Sequence, residues 1–215
     1  MFSIPVFLES FIPLMWAARH TLLVSGLGIA LGLVIGALVC IGRLSKSRVL
    51  RALAGLWVSY LRGVPMLVQL LVVFFLLPVV GINVPAIVAA VATTAIVASA
   101  YISEIWRGAI TALPRGQTEA AIAIGMRPRD TWIRVILPQA VALSLPQLVN
   151  ELILLVKASS LVSVVGIMEI TRASQAQAAT TFRPLEVYLA AACLYLAINL
   201  CLAVLGRYLE RRMAI

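Results

Sequence analysis

Three charged side chains, Arg62, Glu151 and Lys157, interrupt long apolar stretches of the sequence. A charge in the middle of a membrane-crossing stretch costs about 2.5–3.5 kcal/mol, so each one needs a reason. Arg62 and Glu151 have opposite signs and could pair to hold two segments together. They could also line a polar pocket for a zwitterion, with Arg62 facing a carboxylate and Glu151 an ammonium group or a side-chain cation. Both interpretations hold together if the two side chains pair while the pocket is empty.

Helical spacing adds neighbours to this group. Seven residues at about 100° each return to nearly the same face of a helix, so Asn150 and Lys157 share one stripe. Glu151 belongs to the adjacent stripe. The hydroxyl groups of Ser159 and Ser160 follow as hydrogen-bond donors, and these residues together predict a binding site for a polar solute.

A second pair of opposite charges, Glu104 and Arg107, lies three residues apart, which is a good spacing for an ion pair within one helix. We interpret it as structural or as part of an inner gate. The three cysteines (Cys40, Cys193 and Cys201) are scattered through apolar runs and match neither a disulfide framework nor a metal-ligand spacing. No metal site is therefore expected.

The elements that must position these side chains are membrane helices. Hydrophobic residues make up 63% of the 215 positions and charged residues only 12%, with a mean hydropathy of +1.09. Soluble domains are nearer half apolar and a quarter charged. This composition excludes a disordered chain and argues against an ordinary soluble enzyme. Several runs also reach the roughly 20 residues that a spanning helix needs.

The sequence predicts one all-α transmembrane domain over 1–215. No Lys or Arg precedes Arg19, so the N-terminal residues are interpreted as the approach to the first span rather than a signal peptide. The segment 167–179 could be either a short helix on the outer surface or a solvated connector. Five spans are predicted, at about 21–41, 54–77, 86–106, 135–156 and 187–206.

The positive charges predict the orientation of these spans. Twelve of the 17 Lys and Arg residues fall on one side of the membrane if the N-terminus is outside. Because cytoplasmic loops carry the excess of positive charge, the N-terminus is predicted to be external and the C-terminus cytoplasmic. The basic residues are not interleaved with aromatics, so no nucleic-acid partner is expected.

The cytoplasmic connection between the third and fourth spans predicts a short helix at about 116–126. Thr118 can serve as its N-cap, Glu119 suits the positive helix N-terminus, and Gly125 can end the helix. The alanines of this segment keep the helix thin enough for another surface to approach its backbone. It could instead be a loop helix that lies on the membrane.

Five segments, in order, resemble the ABC importer permeases of the polar amino acid uptake family. Glu119-Ala120-Ala121 with Gly125 and then Leu137-Pro138 is similar to the coupling motif of ABC importer permeases. The other four segments, which resemble further signatures of the family, are Arg62-Gly63-Val64-Pro65-Met66-Leu67-Val68-Gln69, Ala100-Tyr101-Ile102-Ser103-Glu104-Ile105-Trp106-Arg107-Gly108, Leu137-Pro138-Gln139-Ala140 and Lys157-Ala158-Ser159-Ser160-Leu161.

This resemblance implies a subunit of a larger assembly in a bacterial inner membrane, embedded in lipid. The permease would pair with itself or with a sister permease, bind two cytoplasmic ATPase subunits and receive solute from an extracytoplasmic binding protein. Glu119, Ala120, Ala121 and Gly125 would contact the ATPase, and Gln69 would join the solute site. ATP and Mg²⁺ would bind to the partner, since this chain has no Gly-Lys-Ser/Thr phosphate loop. The chain itself is expected to be a transport subunit without cofactors and not an enzyme.

One departure and two alternatives qualify this interpretation. Related permeases commonly carry Asp where this chain has Ala158, which makes Glu151 the main acidic candidate. The first alternative is a secondary transporter coupled to protons or sodium, although only Glu104 and Glu151 are acidic within predicted spans. The second is a membrane scaffold without transport activity, which leaves Arg62 and Glu151 with a packing role only.

Overall fold

The computed structural model describes residues 2–213, and within that range every regular element is a helix. The predicted domain of 1–215 also includes residues 1, 214 and 215, which lie outside the described range. In order, the elements are α1 (Ile4–Leu44), α2 (Arg48–Gly63), α3 (Met66–Val79), α4 (Ala86–Ala112), α5 (Arg115–Ala123), α6 (Pro128–Thr131), a π-helix (Trp132–Ile136), α7 (Leu137–Ala158), a 3₁₀-helix (Ser159–Val165), α8 (Ile170–Thr181) and α9 (Pro184–Met213).

Four continuous helical stretches in the described range are long and apolar enough to cross a membrane. They are α1, α4, α9 and the stretch Pro128–Val165, and the bent pair of α2 and α3 makes a fifth if it counts as one span. The chain is therefore a multi-pass membrane protein. The polar connection before α9 contains the helix α8, in the segment where a short helix was one of the two predicted possibilities.

The first helix begins at Ile4 and not near residue 21, so the segment predicted as an approach is part of a 41-residue helix. Its first half packs against α8 and α9, where Leu14 and Ala18 join a buried cluster with Ile170. Its second half packs closely against α4, because Gly28 and Gly32 have no side chain to separate the two helices. A Cβ at Gly32 would lie 2.6 Å from the Cβ of Ala98.

The sequence predicted one span over 54–77, but this region is not one straight helix. It consists of α2 and α3, bent by 104° at the break between them. Val64 is extended (φ −103°, ψ 133°), and Pro65 has no N–H to continue the hydrogen bonds of α2. Proline also disfavours helical geometry in the residue before it, which explains a break at Val64.

The stretch that leads into α7 is a π-helix, whose turns are wider than those of an α-helix. Pro138 has no N–H to donate to the carbonyl of Arg134, and the five residues before α7 form a π-helix in which the Leu137 N–H bonds to the Trp132 carbonyl. Turns of this kind occur mostly as single interruptions within α-helices, frequently at functional sites. This stretch connects α5 and α6 to the helix that carries Glu151.

Candidate functional site

The break between α2 and α3 is held by a buried glutamine. The side chain of Gln69 is 5% exposed, and its Nε2 donates to the carbonyls of Leu61 at 2.9 Å and Val64 at 2.8 Å. Leu61 has lost its usual helical partner because that partner is Pro65. Gln69 was predicted to contact solute, but in the structure its amide N–H groups bond to the backbone of the break.

The break presents Arg62 beside an aromatic ring of α4. The Arg62 guanidinium carbon lies 5.2 Å from the centroid of Tyr101, close enough for a cation–π attraction. Tyr101 falls within one of the five segments that resemble the permease family. Nothing in the sequence indicates that its ring lies beneath Arg62. Pairing between α2 and α4 is a tertiary contact, so only the folded structure reveals it.

Glu151 lies on the buried side of α7, where it is 9% exposed. It is within electrostatic reach of Arg62, but the ion pairs of the described residues do not include these two side chains. The structure thus brings the two opposite charges towards one region without closing a salt bridge. Such an arrangement leaves both groups able to contact a zwitterion.

The other predicted solute residues fall into two groups. Asn150 and Lys157 are exposed on α7, on the helix face next to the one that carries Glu151. Ser159 is fully buried, and its Oγ donates to the carbonyl of Val156 at 2.7 Å, whereas Ser160 is half-buried. Ser160 is therefore the more open of the two hydroxyl groups.

Glu104 and Arg107 form the predicted ion pair, and Arg43 forms a second ion pair with the same carboxylate. Nε and Nη2 of Arg107 lie 2.9 and 2.7 Å from Oε2 of Glu104. Nε of Arg43, at the end of α1, donates to Oε1 of Glu104 at 3.0 Å. One carboxylate therefore joins α1 to α4, a contact between distant segments that sequence spacing could not identify.

The predicted cytoplasmic helix corresponds to α5, with one correction. Thr118 is not its N-cap, because α5 begins at Arg115 after Pro114, whose fixed φ starts the turn and whose carbonyl accepts from the Gln117 N–H at 3.1 Å. The predicted stop is present. Gly125 has φ +76°, and the Gly125 N–H bonds to the Ile122 carbonyl at 2.9 Å, which together form a Schellman-type helix end.

Ala121 packs α5 against the rest of the chain, and the exposed residues around it form the open face of α5 (Glu119, Ala120, Ile122, Ile124 and Gly125). Ala121 is buried, whereas Glu119, Ala120 and Gly125 are exposed. Ile122 is 62% and Ile124 78% exposed. These exposed apolar side chains were not predicted, although two isoleucines in an otherwise polar connection were a visible signal.

Sequence reasoning also missed two buried acids, one at the start of α8 and one in the first turn of α9. Glu169 is fully buried as the N-cap of α8 and accepts hydrogen bonds from Thr171 N, Arg172 N and Tyr195 Oη at 2.7–2.9 Å. Burial raises the pKa of Glu169, and these three donors partly offset that shift. Glu186, 4% exposed, accepts from the Ser3 N–H at 3.0 Å and fixes the start of α1 against α9.

Comparisons with known proteins give a consistent result. A family model described as "Binding-protein-dependent transport system inner membrane component" matches residues 28–215. The chain is similar to the glutamine transport system permease protein GlnP of Escherichia coli K12, with 39% identity covering 99% of this chain and 95% of that protein. It is 35% identical to the L-cystine transport system permease protein TcyB of Bacillus subtilis, covering 95% and 88%.

Two solved structures have the same fold. The crystal structure of an amino acid ABC transporter with histidines matches with a TM-score of 0.91 and 32% identity over 99% of both chains. An inward-facing structure of the MetNI methionine ABC transporter matches with a TM-score of 0.75 over 99% of both chains. Its 20% identity supports a shared fold only.

Proposed function

The chain belongs to the family of binding-protein-dependent transport system inner membrane components, and on that premise we propose that it carries a polar amino acid or a close derivative across the membrane. It is a permease subunit of an ATP-binding-cassette importer. The proposal on the solute rests on one observation: relatives named for glutamine and cystine transport align with it over nearly their whole length.

The arrangement of Arg62 and Glu151 supports a zwitterionic solute. A guanidinium group binds a carboxylate with two parallel hydrogen bonds, and Tyr101 orients that guanidinium from below. Glu151 is the nearby acid that can receive the ammonium group or a side-chain cation. Because Ala158 occupies the position where related permeases commonly carry Asp, Glu151 acts without a second carboxylate. Asn150 and Lys157 of α7 and Ser160 of the 3₁₀-helix that follows it would also contact the solute.

The open face of α5 supports contact with an ATPase subunit. Glu119, Ala120, Ile122 and Ile124 are all exposed, and an exposed group of apolar side chains such as Ile122 and Ile124 suits a protein interface. The amide of Gln139 donates to Gln117 Oε1 at 3.3 Å, so movement of α5 is passed to the helical stretch that carries Glu151. Closure of the ATPase pair would thereby change the solute site.

The orientation and the assembly follow from the same proposal. The N-terminus is outside and the C-terminus cytoplasmic, which puts α5 and most of the positive charge on the cytoplasmic side. The permease pairs with a second copy or a sister permease in a bacterial inner membrane. It works with two ATPase subunits, which bind ATP and Mg²⁺, and with an extracytoplasmic solute-binding protein.

Transport assays on the reconstituted complex test the solute site. Glu151→Gln removes the acid but keeps its shape, and Glu9→Gln makes the same change on an exposed part of α1. We expect Glu151→Gln to weaken the uptake of the amino acid while the complex still assembles. Glu9→Gln should leave this uptake unchanged. Loss of folding in Glu151→Gln, with normal affinity in the surviving protein, would show that Glu151 is structural.

Copurification tests the ATPase contact. Glu119→Lys reverses the charge on the open face of α5 and should release the ATPase or uncouple ATP hydrolysis from uptake, whereas Glu9→Lys should do neither. Unchanged uptake in Glu119→Lys would contradict the assignment of α5. A complex that never contains an ATPase, with uptake driven by an ion gradient, would indicate a secondary transporter. A protein that lacks both an ATPase and uptake would indicate a scaffold.

A further inference from the structure

An apolar cavity of about 370 Å³ opens where the last turns of α1 and α4 meet the π-helix and the start of α7. Its walls include Ile41 and Leu44 of α1, Trp106 of α4 and Trp132 of the π-helix. The volume lies within the roughly 300–1,000 Å³ typical of small-molecule sites. The solute site and the open face of α5 do not use this cavity.

The rim of the cavity faces outward. Ile41 is 67% exposed, and Trp132 and Leu137 are both 47% exposed. In a protein that crosses the membrane several times, apolar side chains with this exposure on spanning helices meet lipid hydrocarbon. The cavity is thus open to acyl chains from the membrane side.

A positively charged cluster borders the same cavity. Arg43 and Arg107 share the single carboxylate of Glu104, which leaves a net charge of about +1. Cys40 lies on the cavity wall and within electrostatic reach of both Glu104 and Arg107. Arg107 also directly follows Trp106 in α4. The apolar cavity and a surplus guanidinium charge are therefore neighbours.

We propose that this cavity binds one acyl chain of an anionic phospholipid, whose phosphate lies against the Arg43–Glu104–Arg107 cluster. An acyl chain matches the largely apolar walls. A phosphate group matches an arginine that has hydrogen-bond donors left over after pairing with Glu104. Basic residues at the end of a membrane helix attract anionic headgroups in the same way. The lipid would fill the space between α1 and α7 and keep the π-helix in its wide form.

Fluorescence quenching by brominated lipids tests the site in the reconstituted complex. In a variant with Trp16→Phe and Trp57→Phe, Trp106 and Trp132 are the only tryptophans of this chain. We expect dibrominated phosphatidylglycerol to quench this emission more strongly than dibrominated phosphatidylcholine. Ala37→Leu fills the cavity from α1 and should abolish that difference, whereas Ala30→Leu makes the same change at an exposed position of α1 and should retain it.

A second filling variant, Ala140→Leu on α7, gives an independent result if Ala37→Leu does not fold. Equal quenching by the two lipids in the unfilled protein would overturn the proposal, because no anionic headgroup is then recognised. Undiminished quenching in both filled variants would also overturn it, since the tryptophans would contact only bulk lipid. No quenching at all in the assembled complex would likewise overturn the proposal, because the cavity would then be covered by another permease or ATPase chain and closed to lipid.

Discussion

Replacing Gln69 with Leu removes the two hydrogen bonds that hold the α2–α3 break while it keeps a side chain of similar size. The carbonyls of Leu61 and Val64 then lose their side-chain donor. Leu61 is only 4% exposed, so water cannot easily replace the lost bond. Each hydrogen bond contributes about 0.5–1.5 kcal/mol, so the free energy of unfolding should fall by about 1–3 kcal/mol.

Unfolding of the permease in detergent micelles, followed by tryptophan fluorescence, measures this loss. Gln175→Leu is the matched control, because Gln175 is exposed on α8 and a surface substitution should change the free energy of unfolding by less than about 0.5 kcal/mol. Uptake by the reconstituted Gln69→Leu complex should also fall, since the break positions Arg62. The reverse outcome, unchanged stability with lost uptake, would refute the structural role and indicate that Gln69 contacts the solute directly.

Three further predictions concern α1, α4 and α8. Gly32→Ala should destabilise the permease by about 1–3 kcal/mol in the same unfolding assay, because its new Cβ would overlap α4; Gly26→Ala, which meets nothing within 4 Å, should stabilise it by up to about 1 kcal/mol. Glu104→Gln should cost about 1–2 kcal/mol, discounted for partial exposure, and the cost should shrink when Arg43→Gln is already present. Because burial raises the pKa of Glu169, wild-type stability should fall as pH rises from the ordinary carboxyl pKa of about 4.3 to the raised value, and Glu169→Gln should lack that slope. Loss of stability in Gly26→Ala would contradict the first prediction. Additive costs for the Glu104 and Arg43 variants would contradict the second. A pH slope in Glu169→Gln equal to that of the wild type would contradict the third.

Several features of this protein are determined by local spacing along the sequence: its membrane helices, one ion pair and one helix end. The apolar runs predict membrane helices because a helix satisfies its own backbone hydrogen bonds inside a bilayer. The three-residue spacing of Glu104 and Arg107 predicts an ion pair, which the structure contains. Gly125 predicts the end of α5, since glycine adopts a positive φ without strain. Each of these predictions depends on neighbours within about two helical turns.

Contacts between distant segments were decided only by the tertiary structure. Gln69 bonds to the break because the 104° bend brings α3 back against the end of α2. Tyr101 lies beneath Arg62, and Arg43 reaches Glu104 across 61 positions, because glycines let α1 approach α4 closely and α2 packs beside it. Sequence periodicity shows which face of a helix is apolar, but not which helix will cover it. The family and the membrane-helix architecture could therefore be predicted from the sequence. The start of α1, the break in the second span and the partners of the charged side chains required the fold.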